Sequence, residues 1–211
     1  TTAIPVSTAV AVFLERLPFV TVPADVPEVW RRILLDVRLP RVVAAGLVGA
    51  ALSYSGAAYQ GVFRNPLADP GLFGVAPGAA LGAVLSMWTG YAAAAYALPL
   101  FALVGAAGAM ALLTLIAGRA NGAMGGGIAL FTLAGLMIAS LAGALMSLAI
   151  SLSPTPFAIS EIVTWLMGAL VDRSWREVWI AAPLTLAGLG FLVAAGRSLD
   201  ALTLGEEAAR S

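Results

Sequence analysis

Few residues in this chain have side chains that could do chemistry, and most of those sit in three short stretches. The first is Arg38-Leu39-Pro40-Arg41, where two guanidinium groups stand three residues apart. Guanidinium offers a planar fork of donors that suits carboxylates, and the competing reading is plain anchoring at a membrane interface. The second is FRNPLADPGLFGV, residues 63–75, which crowds two prolines, Arg64 and Asp69 between long apolar runs. Pro66 and Pro70 cannot continue a helix, and Asn65 before Pro66 is pushed to an extended conformation. The third is the polar end, 197–211, with Asp200, Glu206 and Glu207. Gln60, Tyr54 and Tyr59 add polar groups inside an apolar run, where helix–helix hydrogen bonding explains them as well as substrate contact does.

What is missing narrows the chemistry further. The chain has no Cys and no His, and all 11 of its basic residues are Arg. Catalytic triads that use His, His- or thiolate-ligated metals, Schiff-base lysines and the P-loop lysine are therefore excluded together. No catalytic residue and no metal ligand set is assigned. The Gly122–Gly127 cluster follows no strand pattern and reads as a flexible turn, not a phosphate cradle.

The elements that position these residues follow from hydropathy. The 211-residue chain is 61% hydrophobic and 10% charged, with net charge +0 and mean hydropathy +0.97. A soluble domain carries about 25% charged residues, so this composition belongs in lipid. Neutrality gives no basic field for nucleic acid. Runs of about 20 apolar residues can cross a bilayer. The fold class is all-α, a polytopic bundle with about five spans, at 42–63, 71–90, 97–118, 128–152 and 178–196. Asn121–Gly127 makes a turn between the third and fourth of them, and Trp88, Tyr91 and Tyr96 fit an interface.

Residues 1–41 form an amphipathic segment outside the bilayer, with one helix near Ser7 and another over 25–37. In the latter, Asp25-x-x-Glu28 resembles a capping box and Pro40 stops the helix. A further amphipathic helix lies near 160–170, and Ser174-Trp175-Arg176-Glu177 forms a capping box at the last span. Small pairs, Ala45 with Gly49, Gly78 with Gly82, Gly105 with Ala109 and Gly135 with Ala139, let helices approach closely in lipid. No span holds an ionisable side chain of the kind a proton relay or voltage sensor needs. The opening Thr is not an initiator Met, and the chain reads as a segment of a longer protein.

Together, RLPR, the run Gln60–Gly71, Leu133-Ala134-Gly135, Trp165-Leu166-Met167-Gly168 and LTLGEEAA at 202–209 resemble the permease signature of type II ABC importers. This is the FecCD/BtuC family, which imports iron–siderophore chelates, haem and cobalamin. The resemblance covers essentially the whole chain. It implies part of a ten-helix permease, from after the first helix to the loop after the sixth, in the bacterial plasma (inner) membrane.

It implies that Arg38 and Arg41 dock a periplasmic or lipid-anchored substrate-binding protein, and that Asn65 and Leu67 belong to a cytoplasmic gate. It implies that Leu199, Leu202, Leu204, Gly205, Glu206 and Glu207, in the cytoplasmic segment 197–211, couple to ABC ATPase subunits. Gln60 and Tyr59 become candidates for lining the pathway. A second permease copy completes a homodimer. The chain itself needs no cofactor, because ATP and Mg²⁺ bind the partner subunit, and it is not an enzyme. Competing classes are a stand-alone channel or secondary carrier and a structural membrane bundle. The positive-inside rule disagrees on orientation: seven Arg flank the side holding 1–41 and 153–177, against four on the other.

Overall fold

A computed structural model describes residues 4–15, 26–94, 96–124, 127–171 and 173–199. The described residues are helical with short turns, in two compact units that share helix α3.

The first unit takes residues up to Tyr54 together with Leu170–Gly196. Helix α1, Val6–Leu14, follows Pro5. Helix α2, Glu28–Arg32, starts after Pro27, which serves as its N-cap. Glu28 is thus the first helical residue and not the third, so it cannot close the expected box with Asp25, which lies outside the described residues. Glu28 instead pairs with Arg32 one turn on, at 2.6 Å. Arg31 reaches back to Glu15 beyond the end of α1, at 2.8 Å.

The expected stop at Pro40 does not occur. The chain passes from α2 through a π-helical turn, Ile33–Arg38, straight into α3, Leu39–Phe63. A proline clashes with the carbonyl four residues back in an α-helix. The wider turn immediately before Pro40 removes that conflict, and Pro40 is buried. Helix α8, Trp175–Ala194, opens as expected on the Ser174–Glu177 capping box. The Arg176 amide donates to Ser174 Oγ at 3.3 Å, and Glu177 Oε2 accepts from the Ser174 amide at 2.8 Å.

The second unit holds 55–169. After the end of α3 come a 3₁₀ turn, Pro70–Phe73, helix α4, Val75–Trp88, and a second 3₁₀ turn, Tyr91–Ala93. Helix α5, Ala97–Met124, helix α6, Gly127–Ser151, and helix α7, Pro156–Leu166, complete it. Helix α5 therefore continues through most of the expected glycine-rich turn. Helix α7 begins earlier than the expected 160, because Thr155 caps it by accepting from the Ala158 amide at 3.2 Å.

Among the described residues, three helices are long and apolar enough to cross a membrane: Ala97–Gly118 of α5, Ala129–Ser151 of α6 and Trp175–Ala194. The other two expected spans take different forms. Helix α3 has the length, 25 residues, and exposes Val42, Val48, Leu52 and Val62 beside small residues such as Gly49 and Ser53. The segment expected over 71–90 is the 3₁₀ turn followed by a helix of 14 residues, about 21 Å long at 1.5 Å per residue.

Helices α4 and α5 touch backbone to backbone. A Cβ placed on Gly78 would sit 2.5 Å from the Ala109 Cβ and 2.8 Å from the Gly105 carbonyl oxygen. One on Gly82 would collide with the Phe101 carbonyl, and one on Gly105 with the Gly78 carbonyl. The small pairs on these two helices do what lipid requires of them. Gly49, by contrast, has nothing within 4 Å of a built Cβ. Further along, Ala83, Val84, Met87, Ala149 and Ile162 form a core cluster with Trp165 against it. The Trp88 indole closes that end by donating to the Leu152 carbonyl at 3.3 Å.

Gly82→Val should lower stability by about 1–3 kcal/mol through overpacking, read as a fall in thermal midpoint in detergent. Gly108→Ala, where a Cβ meets nothing within 4 Å, should stay within about 0.5 kcal/mol of the parent. Equal midpoints for the two would contradict the close approach.

Candidate functional site

The stretch 63–75 is a turn built from nested hydrogen bonds, each traceable to its residue types. Helix α3 ends with Arg64 in the left-handed region, φ 46°. The Arg64 amide donates to the Gly61 carbonyl and the Asn65 amide to the Gln60 carbonyl, both at 3.2 Å. That pair of bonds is a Schellman ending, with Arg64 where glycine is usual. Asn65 then uses its side chain locally: Oδ1 accepts from the Leu67 amide at 2.9 Å. Its carbonyl accepts from the Ala68 amide at 3.0 Å, closing a turn with Pro66 at the favoured second position.

Asp69 repeats the device. Its Oδ1 accepts from the Gly71 amide at 2.6 Å and caps the 3₁₀ turn, with Pro70 at the first position. Gly74, φ 76°, reverses the chain into α4. The two prolines and the Asn and Asp thus encode one rigid reversal, in which short polar side chains occupy amides that a helix would leave open.

Phe73 fixes this reversal to the rest of the unit. It is 2% exposed and stacks on Tyr59 at 4.5 Å and on Phe63 at 4.9 Å between ring centroids. Phe131 of α6 lies tilted against it at 6.0 Å. Beneath it, a Cβ on Gly135 would stand 2.6 Å from the Leu72 carbonyl oxygen and 2.7 Å from the Phe73 Cα. Gly135 therefore serves as the seat of the turn, where a seam with Ala139 for a neighbouring helix was expected of it. Gly74 leans likewise on Ile138 of α6.

The predicted site residues fall in different places. Asn65 and Leu67 lie together at the tip of the reversal, Leu67 83% exposed. Tyr59 takes part in the aromatic stack, and Gln60 is exposed at the end of α3. Arg38 ends the π turn and Arg41 lies in the first turn of α3, both in the first unit. Leu199 is helical, in a short resumption at 196–199. Leu202, Leu204, Gly205, Glu206 and Glu207 lie outside the described residues. Phe73 as anchor and Gly135 as seat were not expected from sequence, although the Phe in a P-G-x-F run beside a glycine was available as a signal. Among the described residues no group of His, Cys, Asp and Glu could hold a metal.

The sequence matches the FecCD transport family over residues 2–211. The chain belongs to that family. Among FecCD relatives, it is 38% identical over 184 residues to the uncharacterized ABC transporter permease protein YvrB of Bacillus subtilis, covering 86% of this chain and 51% of that one. It is 38% identical over 191 residues to the cobalamin import system permease protein BtuC of Halobacterium salinarum, covering 88% and 49%. The molybdate import system permease protein MolB of Haemophilus influenzae is 31% identical over 188 residues, covering 89% and 54%. A solved structure of a metal-chelate type ABC transporter in an inward-facing conformation superposes with TM-score 0.79 at 30% identity, covering 97% of this chain and 63% of that one. The chain thus spans about half the length of the curated FecCD relatives it matches.

Phe73→Ala should destabilise by about 3–5 kcal/mol, the usual cost of emptying a buried aromatic site, and should speed hydrogen exchange at Gly71 and Leu72. Leu67→Ala, at the exposed tip, should leave both within about 0.5 kcal/mol. A turn equally protected in the Phe73 variant would show that the stack does not hold it.

Proposed function

We propose that this chain forms part of the translocation pathway of an ATP-driven, binding-protein-dependent importer in the bacterial inner membrane. The observation that carries the reading is the FecCD match across residues 2–211, joined to apolar helices that hold no group able to drive transport by themselves. The energy then comes from cytoplasmic ABC ATPase subunits, which bind the ATP and Mg²⁺. The cargo is an iron chelate, siderophore or haem, or cobalamin. The cobalamin and metal-chelate names among the relatives favour a bulky chelate, and MolB keeps an oxyanion in view. A second permease copy supplies the other half of the pathway.

In this reading Asn65 and Leu67 are the cytoplasmic gate. What supports it is a stiff reversal with an exposed apolar tip: the hydrogen bonds of Asn65 and Asp69 keep the shape, and Phe73 makes it travel with α6. Such a tip moves as a unit when its helices tilt. Arg38 and Arg41 dock an acidic surface of the substrate-binding protein, and the segment with Leu199, Leu202, Leu204, Gly205, Glu206 and Glu207 couples to the ATPase. A stand-alone channel or carrier is the second reading, favoured by nothing in the charge-free spans.

The chain has 0 Cys, so in an intact transporter whose other subunits and segments carry no Cys, a single Cys at Asn65 or Leu67 reports without background. Its labelling from the cytoplasmic side should differ between ATP-bound and nucleotide-free states. State-independent labelling at 65 and 67 would sink the gate. Arg38→Glu with Arg41→Glu should weaken the binding protein by roughly 2–5 kcal/mol if the pairs are buried on docking. Affinity within about twofold of the parent, measured in nanodiscs, would remove the docking role.

A further inference from the structure

The π turn before Arg38 leaves one carbonyl with a specific need. In this turn the Leu39 amide donates to the Leu34 carbonyl, five residues back. Continued in the same register, the next donor would be residue 40, paired with the Leu35 carbonyl. Residue 40 is proline and has no amide hydrogen. The donor arrives from elsewhere in the same unit: the Trp175 indole Nε1–H donates to the Leu35 carbonyl at 2.9 Å. The two residues are 140 apart in sequence.

A buried carbonyl without a partner costs free energy on the scale of a lost hydrogen bond, which is why such groups are nearly always satisfied. Pro40 is fully buried and Leu35 partly so. Trp175 is held in place to make this bond. It is the first residue of α8, directly after the Ser174 N-cap, and the Ser174–Glu177 box fixes the backbone on which it rides. π turns are uncommon and cluster at functional sites. This one ends on Arg38, and Arg41 follows one residue after the proline.

We propose that Trp175 is a positioning residue for Arg38 and Arg41. Its indole N–H replaces the hydrogen that Pro40 lacks, and so holds the π turn that sets how the segment before it meets the stretch carrying both guanidinium groups. A plain α-helix through 33–41 would instead turn the segment before the π turn, Arg31 and Arg32 with it, relative to Arg38 and Arg41. The proposal rests on the docking reading for its functional consequence, though not for the hydrogen bond itself.

Three variants of the intact transporter test it. Trp175→Phe removes the donor. Replacing Trp175 by β-(3-benzothienyl)alanine, in which sulfur stands for the indole N–H, removes the donor while keeping the ring's size. Pro40→Ala, combined with either, supplies the missing amide hydrogen from the backbone. Losing one net hydrogen bond of about 1 kcal/mol corresponds to roughly fivefold. Hydrogen exchange of the amides at 36–39 should therefore rise by about that factor in either donor-free protein, and affinity for the binding protein should fall by a similar factor. Adding Pro40→Ala should restore both.

Unchanged exchange in the benzothienyl protein, or no rescue by Pro40→Ala, overturns the proposal and leaves Trp175 as filler. Failure of the docking reading has a different signature. Arg38→Ala with Arg41→Ala would then leave affinity unchanged, while exchange and its rescue continue to decide the role of Trp175.

Discussion

Everything in the second unit depends on how closely α4 and α5 can approach. Lipid tails are as apolar as leucine, so burying a leucine between two membrane helices gains little, and contact must come from dispersion at short range. Gly78, Gly82 and Gly105 provide that range by removing the side chains that would hold the backbones apart. The consequence passes outward. With α4 drawn onto α5, the 3₁₀ turn that feeds α4 lies against α6, and Gly135 is the recess that receives it. Phe73 fills the space between, and the ring stack with Tyr59, Phe63 and Phe131 completes the seal.

The chemistry of the chain is accordingly one of shape. The described residues hold no cluster of metal-binding side chains, and no charged group lies within α5 or α6 over the stretches fit to cross a bilayer. Polar side chains are spent on the backbone: Asn65 and Asp69 on their own turn, Thr155 and Ser174 on helix starts, Trp88 and Trp175 on carbonyls. Each of these bonds fixes an angle between segments. In the proposed importer, where the energy comes from another subunit, stiff levers of this kind matter more than reactive groups.

Legibility in the sequence followed the range of the interaction. The Ser174–Glu177 box was readable because both partners lie within one helical turn. The glycine pairs of α4 and α5 were readable as a packing device, although not which helix each would meet. Gly135 shows the limit: its spacing to Ala139 looks like a helix seam, yet its neighbour is the Leu72 carbonyl. Pro40 misled for a related reason. Local rules make proline a helix stop, and only a tertiary donor on α8 together with a widened turn makes it tolerable. The run at 71–90 read as one span because Leu72 and Phe73 are apolar, whereas Asp69 and Pro70 had already committed those residues to a 3₁₀ turn. The reversal with Asn65 and Leu67 at its tip was legible from the prolines; its anchor was not.

The π turn also bears on how chain length is written into this protein. A wide turn stores one residue more than the α-helix beside it, so its six residues, Ile33–Arg38, carry a built-in insertion. Deleting a single residue there would let an ordinary α-helix form with the segments on either side still facing as they do, whereas a deletion within an α-helical stretch turns everything before it by about 100°. Helix α2, with Arg31 and Arg32, would keep its bearing, and the ion pair to Glu15 its partner. This stretch can thus give up a codon without turning the segment before it, a slack in length that the α-helices on either side lack.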